Sequence, residues 1–490
     1  MSVSVASSVD TYRPVRGLLP LCTGAAAYLL FMFLGNVLLQ DSDTFWQIKV
    51  GQWIIDHRAV PTSDVYSFTK FGAPWISNAW LSQVLYAAVY AWGWAGPVIL
   101  TSLAAAAAIA ILVWLLDAYF EPAHSILIAM LVLMLSWHHL LARPHILALP
   151  VMVAWIGAMM SAADRRACPS FFLLPLMLLW ANLHGGFVLG LALMAPIALE
   201  AVWSAAPERR IALGARWALF AAGAVAAACC TPYGWDTLLA AARILDLGQV
   251  LSLLSEWRPA DFGSFSLFEG SMLGLFGIAL SRGVVLSFPR ILLLLLVTHM
   301  ALANVRSIEA FAFIVPLILA QPFAGRPVDV AASAAAERWA RPYIPGLAIA
   351  ATAVGLWAST ASYTAHHDFT FANLQTPAAA VDRLKQRQAK RIFNAYEFGG
   401  YLIARDVPPF IDGRAELYGE KFVVSYFDAV KGRNVDELLR LLEAFQIDAT
   451  LLAPSSPAAQ ILDHIAGWRR LYADDTAVIH VRAPAADLSR

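Results

Sequence analysis

Two carboxylates stand two residues apart, directly after the first long apolar run of this 490-residue chain. Asp41 and Asp43 are followed by an amphipathic helical pattern that ends near His57. A carboxylate at this point can deprotonate an acceptor hydroxyl, or it can hold a divalent metal ion beside a phosphate or diphosphate leaving group. The same spacing also fits two acids that cap the helix and complement its dipole. Both interpretations stay open at this point.

Six further polar residues interrupt the apolar stretches later in the chain, and all are candidates for substrate binding. They are Arg143, His145, Asn182, His184, Glu256 and Arg306. Ionisable groups within a membrane are costly, so such residues are functional candidates by default. A guanidinium binds phosphate oxygens through two parallel hydrogen bonds, and we therefore predict that Arg143 and Arg306 bind phosphate. The alternative for Arg306 is an ion pair with Glu309, one helical turn away.

The turn at residues 182–187 follows an unusually short apolar segment, residues 170–181. A helix of that length rises only about 18 Å, at about 1.5 Å per residue. His184 is therefore expected below the membrane surface, in a cavity that other helices line. Asn182 and His184 can bind phosphate or hydroxyl groups there, and Gly185 and Gly186 allow a close backbone approach. A plain helix-hairpin turn is the alternative.

The composition places these residues in a membrane protein. Hydrophobic residues make up 60% of the sequence and charged residues 14%, whereas soluble domains carry about a quarter of their residues as charges. A large soluble enzyme is therefore excluded. Lys+Arg and Asp+Glu balance at 34 each, and no basic stripe with interleaved aromatic residues stands out. We accordingly predict no nucleic-acid partner.

The apolar runs predict an α-helical polytopic membrane bundle with about eleven spans. Candidate spans cover residues 17–40, 79–95, 97–116, 124–141, 145–162, 170–181, 187–204, 211–230, 266–281, 290–304, 308–321 and 343–362. Basic groups mark the cytoplasmic side. These groups are Arg13/Arg16, Arg165/Arg166, Arg209/Arg210/Arg216, Arg282/Arg290 and Arg326/Arg338/Arg341. Segments 41–78, 182–187, 232–264, 304–308 and 363–490 would then share the outer face, and the functional candidates lie on that face only.

One part of this topology conflicts with the positive-inside rule. Two crossings within residues 79–116 and two more within 124–162 would leave Arg165 and Arg166 outside. We predict that the 79–116 hairpin is re-entrant or lies flat, because its linker carries no charge. The amphipathic helix in the first outer loop is predicted to lie along the membrane surface.

The last part of the chain has a different composition, because residues 363–490 hold 31 of the 68 charged residues. That density is typical of a soluble domain. We predict a transmembrane domain over 1–362, with its outer loop 41–78, and a small periplasmic α/β domain over 363–490. Strands are predicted at 391–394, 401–404, 409–411, 449–452 and 477–481, and helices near 376–390, 419–430 and 434–445. For Asp412-Gly413-Arg414 a structural Asp–Arg pair is favoured over a ligand site.

Short motifs along the chain resemble those of a known superfamily. They are Asp41/Asp43/Trp46, Gly51/Trp53/Ile54, Pro61/Asp64/Tyr66/Ser67/Phe68/Thr69, Pro74/Trp75/Trp80/Leu81, Arg143-Pro144-His145, the run from Trp180 to Gly186, Pro232-Tyr233-Gly234-Trp235, Glu256-Trp257 and the run from Ile411 to Arg414. The acidic pair, the surface helix and the proline together resemble the first periplasmic loop of GT-C glycosyltransferases, such as protein O-mannosyltransferases and aminoarabinose transferases. The full set of motifs is most similar to that of a group of uncharacterised bacterial multi-pass membrane proteins.

The resemblance implies a GT-C-like fold and an activity. Such an enzyme would move a sugar from a polyprenyl-phosphate-linked donor to an envelope glycan, lipid or protein, among the membrane lipids at the periplasmic face of a bacterial inner membrane. Asp41 would be the base or the ligand of a divalent metal ion, supported by Asp43. Arg143, His184 and Arg306 would hold the phosphate. The other predicted substrate-binding residues are His145, Asn182, Glu256 and Trp80.

Two departures from the better-understood GT-C pattern are visible. The acidic pair is Asp-Ser-Asp where the pattern has an adjacent Asp-Glu, and His184-Gly185 stands where the mannosyltransferase-like branch places Lys-Gly. Two other functions stay open, a transporter or flippase of lipid-linked glycan and a non-catalytic envelope assembly protein whose tail binds glycan. No internal repeat is visible, which argues against alternating access.

Overall fold

The computed structural model describes residues 13–245, 248–324, 346–371 and 376–483, and the part before residue 372 is a body of helices. These are α1 (Arg13–Phe33), α2 (Gly35–Leu38), α3 (Asp43–His57), α4 (Trp80–Val89), α5 (Ala95–Leu116), α6 (Pro122–Ser136), α7 (Pro144–Asp164), α8 (Leu174–Leu183), α9 (Phe187–Ala192), α10 (Met194–Trp203), α11 (Pro207–Ala228), α12 (Asp236–Leu245), α13 (Gln249–Leu253), α14 (Leu267–Ser281), α15 (Phe288–Ala303), α16 (Ser307–Ala324) and α17 (Gly346–Thr364). Short 3-10 helices cover Tyr90–Trp92, Trp137–His139, Phe171–Leu173 and Ser255–Trp257. The predicted basic group Arg326/Arg338/Arg341 lies outside the described residues.

Five helices of the described chain are long and apolar enough to cross a membrane alone, namely α5, α6 with its extension to His139, α7, α11 and α16. Five shorter apolar helices accompany them, over Leu18–Phe33, Phe171–Leu183, Phe187–Trp203, Leu267–Ser281 and Phe288–Ala303. Helices are the expected solution, because every backbone polar group in lipid must be satisfied within its own segment. The chain is a multi-pass membrane protein, and the helices follow the predicted apolar runs.

The helix ends form two groups at opposite ends of the bundle. At one end, which we call the Asp41 end, the Ala142 N–H donates to the Leu38 carbonyl at 2.8 Å, and Trp137 stacks on Phe31. At the other end, the Asp164 end, the Tyr119 hydroxyl donates to Asp164 at 2.9 Å. These contacts show that α5, α6 and α7 run the length of the bundle in alternating directions.

The course of α5 resolves the conflict within residues 79–162. α4 has only 10 residues, too few to cross a membrane, whereas α5 has 22. The prediction of a re-entrant or flat hairpin is therefore wrong for residues 97–116, and only the first arm is short. Three crossings then follow the first outer loop, and they bring Arg165 and Arg166 to the Asp164 end.

Close packing of small residues and one central helix hold the bundle together. α7 lies at the centre, where Trp155 is fully buried and donates its indole N–H to the Gly190 carbonyl at 3.2 Å. α1 approaches α5 through small residues, since a β-carbon at Gly24 would lie 3.0 Å from the Ala110 β-carbon. Small side chains let the two backbones approach closely. Such close contact matters within lipid, because helix association there depends on packing rather than on water exclusion.

The first-loop helix α3 packs part of its apolar face against protein, and its predicted position along the membrane surface stays a prediction. Its residues Phe45, Trp46 and Ile48 are buried between α4 and the tail. Contact with α4 is so close that a β-carbon at Gly51 would lie 1.9 Å from the Gln83 carbonyl oxygen. An amphipathic pattern indicates that one face of a helix is apolar, but it does not indicate whether lipid or protein covers that face.

The tail is a small α/β unit with a four-stranded sheet. Its helices are α18 (Ala378–Gln386), α19 (Gly399–Ala404), α20 (Ala415–Tyr418), α21 (Glu420–Val430), α22 (Val435–Ala444) and α23 (Pro457–Leu462). The strands β1 (Ile392–Asn394), β2 (Ala449–Leu452), β3 (Trp468–Ala473) and β4 (Val478–Arg482) lie in the order β1-β2-β4-β3. β1 and β2 are parallel, the other pairs are antiparallel, and Phe393, Thr450 and His480 are neighbours across the sheet.

Two of the five strand predictions in the tail fail, and one strand is missed. Residues 401–404 form part of the helix α19, because a short buried apolar run does not distinguish a helix from a strand. Residues 409–411 make only an isolated bridge between Pro409 and Ile392. The missed strand β3 lies at the sheet edge and carries two arginines, as edge strands often carry charges.

The tail and the first outer loop share one hydrophobic core. Trp46, Val50 and Trp75 of the loop cluster with Phe393 and Phe410 of the tail. The Thr69 hydroxyl also donates to the Phe410 carbonyl at 2.7 Å. The tail is therefore docked on the loop that begins with Asp41, and the fold joins two parts that are distant in the sequence.

Candidate functional site

Five charged residues meet at the Asp41 end, and we call them the Arg143 cluster: Asp41, Asp43, Arg143, Glu256 and Arg306. Nη1 of Arg143 lies 3.2 Å from Asp41 Oδ2. The same nitrogen donates to Glu256 Oε1, and Nη2 donates to Asp43 Oδ2. Arg306 Nη1 donates to Glu256 Oε2 at 2.8 Å. The structure thus brings together five residues that the sequence singled out in separate segments.

Local backbone features position Arg143. It precedes Pro144, the first residue of α7, and has the extended conformation that a following proline favours, with φ −129° and ψ 158°. The Arg143 carbonyl accepts a hydrogen bond from the Tyr86 hydroxyl at 3.1 Å. The neighbouring Ala142 carbonyl accepts one from the Thr44 hydroxyl at 2.8 Å. These bonds tie the start of α7 to α3 and α4, so the guanidinium stands beside the acidic pair.

Asp41 and Asp43 stand at the start of α3, as the capping interpretation expects, and both also pair with Arg143, whereas a role as base or metal ligand stays a prediction. Asp41 Oδ1 accepts the Asp43 N–H at 2.8 Å in the first turn of α3, and Asp43 Oδ1 accepts the Trp46 indole N–H at 3.0 Å. The second oxygen of each carboxylate faces Arg143. Helix capping and ion pairing coexist because an ionised carboxylate has two accepting oxygens.

Glu256 bridges the two arginines from the loop between α13 and α14. The Arg306 N–H donates to the Glu256 carbonyl and the Val305 N–H to the Arg258 carbonyl, both at 2.9 Å, so this loop is fastened to the turn before α16. The Arg306 guanidinium also lies over the Trp257 ring, 5.8 Å from its centroid. Arg306 thus pairs with Glu256, and the alternative pair with Glu309 does not form.

Burial and charge separate the pKa values of two acids in the cluster. Burial raises the pKa of Asp41 to about 6, even though Arg143 favours the charged form. Burial acts on Glu256 in the same direction, but Arg143 and Arg306 outweigh it and lower the pKa of Glu256 to about 2. Glu256 is therefore ionised at neutral pH, whereas Asp41 can take up or release a proton near neutrality.

His145 and His184 lie side by side, with ring centroids 6.1 Å apart. His184 Nδ1 accepts the Gly186 N–H at 3.0 Å, which places the ring hydrogen on Nε2. Burial, together with the positive charge of Arg306, lowers the pKa of His184 to about 3. His145 Nε2 lies 2.7 Å from the His139 carbonyl and donates to it. A neutral His184 can donate one hydrogen bond to a ligand, but it adds no positive charge.

The amide of Asn182 is fully used within the protein. Its oxygen accepts the Trp80 indole N–H at 2.8 Å, and its nitrogen donates to the carbonyls of Leu178 at 2.8 Å and Cys230 at 3.0 Å. The indole N–H, the only hydrogen-bonding group of the Trp80 side chain, is used in the same contact. These two predicted substrate-binding residues hold α4, α8 and the Cys230 segment together, and the Trp80 ring is the part left for a ligand.

Among the buried oxygens at this end that have no hydrogen-bond partner within the described chain are Oε1 of Glu309 and Oδ1 of Asn78. Glu309 Oε2 lies 4.0 Å from His145 Nε2. Asn78 lies beside Gly185, whose β-carbon position is 3.6 Å from Asn78 Cβ. Buried polar atoms normally find partners, so both mark places for a polar ligand or water. Sequence reasoning missed Asn78, which no motif contains.

A second buried cluster, the Arg414 cluster, joins the first outer loop to the tail. Arg414 is fully buried and donates to Asp412 Oδ2 and to Asp64 Oδ1, both at 2.7 Å. Its guanidinium lies 4.8 Å from the Trp75 ring centroid and 5.3 Å from that of Tyr66. The predicted structural Asp412–Arg414 pair is confirmed. Asp64 was quoted in a motif, and its partner 350 positions later could not be deduced from spacing.

The tail reaches the acidic pair through two glycines. A β-carbon at Gly413 would lie 2.1 Å from Asp43 Oδ1, and one at Gly400 would lie 2.3 Å from the Ser42 carbonyl oxygen. Tyr396 of the tail is within electrostatic range of Asp43, and burial raises the pKa of its hydroxyl well above the usual value. The tail therefore forms one wall beside Asp43.

Buried charges also occur at the Asp164 end, so the expectation that they lie on one face only is wrong. Arg290 Nη2 lies 2.6 Å from Asp164 Oδ1, and its Nε lies 3.2 Å from Glu200 Oε1. Ser287 donates to the same glutamate. These residues line a cavity of about 160 Å³ between α7, α10 and α15. Sequence reasoning counted Arg290 as a cytoplasmic marker and did not see that helix packing buries it.

The Arg143 cluster does not fit the divalent metal ion that the sequence allowed at Asp41. Each of the six carboxylate oxygens of Asp41, Asp43 and Glu256 already faces a donor. One oxygen of each residue faces Arg143, and the remaining three face the Asp43 N–H, the Trp46 indole N–H and Arg306, respectively. Across the described residues no group of three or more His, Cys, Asp or Glu side chains is arranged to hold a metal ion. A metal ion could enter only by displacing these donors.

Solved structures that match the chain over most of its length include two of an archaeal oligosaccharyltransferase. One is archaeal oligosaccharyltransferase AglB from Archaeoglobus fulgidus in complex with an inhibitory peptide and a dolichol-phosphate, with a TM-score of 0.52, 10% identity, and coverage of 91% of this chain and 70% of that one. The chain has a GT-C-like fold. The Archaeoglobus fulgidus oligosaccharyltransferase in its apo form matches with a TM-score of 0.51 and 13% identity over the same shares. No protein-family model matches the sequence, and no curated protein matches it either.

The GT-C-like fold confirms what the motifs implied for the architecture. At identities of 10% and 13% the likeness concerns the fold alone, so it assigns no residue a role. The roles of the acidic pair and of the docked tail therefore depend on this chain's own contacts.

Proposed function

We propose that the chain is a membrane glycosyltransferase that moves a sugar from a polyprenyl-phosphate-linked donor to an envelope acceptor, which is a glycan, a lipid or a protein. The single observation that carries this proposal is the convergence of Asp41 with Arg143, Glu256 and Arg306 at one end of a GT-C-like membrane bundle. A carboxylate beside two guanidinium groups provides a base next to a phosphate-binding charge. AglB, which shares the fold, was solved with a dolichol-phosphate.

In the proposed reaction Asp41 is the general base. The acceptor hydroxyl oxygen attacks the anomeric carbon of the donor sugar while its proton passes to Asp41. The bond between that carbon and the phosphate oxygen breaks, its electron pair stays on the phosphate, and polyprenyl phosphate leaves. Attack opposite the leaving group inverts the anomeric configuration. A pKa of about 6 keeps most Asp41 ionised at pH 7 while leaving it basic enough to accept a proton.

The neighbouring groups have separate tasks in this reaction. Arg306 uses one nitrogen for Glu256, and none of the hydrogen bonds of the described residues uses its Nη2 or Nε, which leaves these N–H groups for phosphate oxygens. His184 donates a further hydrogen bond through Nε2. Asp43 and Glu256 hold the Arg143 guanidinium beside Asp41. His145, whose Nε2 is occupied, keeps Nδ1 to accept from a sugar hydroxyl.

We further propose that the protein lies in a bacterial inner membrane with about eleven spans, and that the Asp41 end faces the periplasm. Support comes from the basic residues Arg165 and Arg166, which follow Asp164 directly and so stand at the opposite end. The docked tail would then be periplasmic, beside an acceptor in the envelope.

The proposal is tested with Asp41→Asn and, as its matched control, Asp56→Asn near the exposed end of the same helix. Both purified variants are given a panel of synthetic polyprenyl-phosphate hexoses and pentoses, with envelope extract from a deletion strain as acceptor. We expect Asp41→Asn to lower transfer by about 100-fold or more and Asp56→Asn to leave it unchanged. Full transfer by a correctly folded Asp41→Asn protein would refute the role of Asp41.

A second candidate function is the flipping of a lipid-linked glycan, and one observation favours it. Asp164, Glu200 and Arg290 form a buried charged group at the end opposite the Arg143 cluster. Polar groups at both ends are what an alternating path would need. Liposomes that contain the protein and a fluorescent polyprenyl-phosphate sugar distinguish the two functions, because a flippase moves the label between leaflets without any transfer.

A further inference from the structure

We propose that Arg143 is the built-in cation of this site and occupies the place that a divalent metal ion would take. Three carboxylates from three segments each direct one oxygen at its guanidinium: Asp41 before α3, Asp43 at the start of α3 and Glu256 in the loop before α14. A metal site in a GT-C-like enzyme would need such converging carboxylates with an empty centre. Here the centre holds a side chain.

The second carboxylate oxygens strengthen this assignment. Asp41 Oδ1 faces the Asp43 N–H at 2.8 Å, Asp43 Oδ1 faces the Trp46 indole at 3.0 Å, and Glu256 Oε2 faces Arg306 at 2.8 Å. No oxygen is directed outward to a missing ion. A divalent ion would have to break these bonds and would also stand next to the positive charge of Arg143. Guanidinium stays charged at every accessible pH, so the site carries a permanent cation.

The consequence for the reaction rests on the proposed function. When the bond between the sugar and the phosphate oxygen breaks, negative charge grows on the leaving phosphate. Arg143 and Arg306 supply positive charge next to it, so no metal ion is required as co-reactant. Transfer should therefore continue after divalent ions are removed.

The test measures Mn²⁺ binding by electron paramagnetic resonance and metal content by mass spectrometry, on the purified full-length chain in nanodiscs. We expect EDTA-treated wild type to bind no stoichiometric Mn²⁺. Arg143→Ala should acquire one Mn²⁺, and adding Asp43→Asn should remove it. Arg143→Lys keeps a cation and should not acquire one. Arg405→Ala, which removes a partly exposed arginine from its pair with Asp382 in the tail, is the matched control and should behave as wild type.

Two outcomes overturn the inference. The first is a wild type that holds about one divalent ion per chain, lost in Asp41→Asn. The second is a folded Arg143→Ala protein that binds no Mn²⁺, because the carboxylates then form no cation site. If Arg143→Ala fails to fold, the wild-type measurement still decides. Activity is a separate readout, since EDTA should leave transfer within about twofold. An absence of transfer under all conditions would count against the proposed function and leave the Mn²⁺ result valid.

Discussion

Gly413 of the tail lies directly against the carboxylate of Asp43. A β-carbon at position 413 would come within 2.1 Å of Asp43 Oδ1 and 3.2 Å of the Trp46 indole nitrogen. No real side chain tolerates the shorter distance, so only glycine allows the carboxylate to stay beside Arg143. A residue in the last quarter of the chain thus fixes the position of an acid near its beginning.

The first prediction follows from this contact. Gly413→Ala should push Asp43 away from Arg143 and lower transfer by about tenfold or more, with a stability loss of about 1–3 kcal/mol from overpacking. The measurements are the initial rate of transfer and the midpoint of thermal unfolding. Gly274→Ala in α14 is the matched control, because nothing lies within 4 Å of a β-carbon there, and it should leave both quantities unchanged. Equal activity of the two variants would show that Asp43 need not be held in this place.

The second prediction concerns pH. Because burial raises the pKa of Asp41 to about 6, the base form is lost below that pH, and transfer should fall about tenfold per unit below pH 5. The pKa of the Asp41 carboxyl is higher in the folded than in the unfolded chain, so protonation of Asp41 stabilises the folded state. The contribution of Asp41 to stability should therefore be present below about pH 4 and lost as the pH rises through about 6.

Unfolding midpoints of wild type and Asp41→Asn between pH 4 and 8 check the stability part of this prediction. The asparagine cannot titrate, so the difference between the two proteins should change with pH across this range. A constant difference would mean that Asp41 does not titrate there.

The third prediction concerns the Arg414 cluster. Arg414→Ala leaves Asp64 and Asp412 buried without their cation, and it should lower the free energy of unfolding by about 3–5 kcal/mol. The first outer loop, residues 41–78, should then loosen from the tail and become sensitive to limited proteolysis. Arg440→Ala removes an exposed arginine from its pair with Glu437 and should cost less than about 1 kcal/mol. Equal losses in the two variants would show that the tail does not stabilise the loop.

The fourth prediction separates a positioning residue from a binding residue. Asn182→Ala leaves the Trp80 indole without its acceptor, so we expect a stability loss of about 1–3 kcal/mol and a donor KM within about twofold of wild type. Arg306→Ala removes N–H groups that we assign to the phosphate and should raise the donor KM by about tenfold or more. Steady-state kinetics with the same donor decides between them. A large increase of the donor KM in Asn182→Ala would instead indicate that Asn182 binds the donor.

Much of the bundle could be predicted from sequence because lipid imposes a strict pattern. Apolar runs such as residues 145–162 and 211–230 reappear as α7 and α11. In the hairpin at 79–116 the predicted apolar run 97–116 matches α5, but the charge-free linker does not show which arm crosses, so the re-entrant prediction fails for this arm. Residues 401–404 show the limit in the tail, where a buried apolar run carries no periodicity that separates helix from strand.

The residues of the site could be predicted as types, but their pairing could not. Asp41, Arg143, Glu256 and Arg306 stand out because charges in apolar surroundings are costly. Nothing in their spacing shows that Arg143 lies between three carboxylates, since these contacts span 100 to 113 positions. The full use of Asn182 and the orphaned oxygen of Asn78 likewise depend on neighbours from other helices.

The 350 positions between Asp64 and Arg414 also set an order of events during synthesis. The first outer loop leaves the ribosome first, and its buried cation, Arg414, follows on the order of tens of seconds later at typical elongation rates. Until then Asp64 has hydrogen-bond donors in its own loop, at Tyr66 and Ser67, but no cation beside it, and the tail does not yet pack against Asp43. The tail can thus pack against the acidic pair only after the chain has been made at least as far as Gly413 and Arg414, so a shorter nascent chain carries no assembled site.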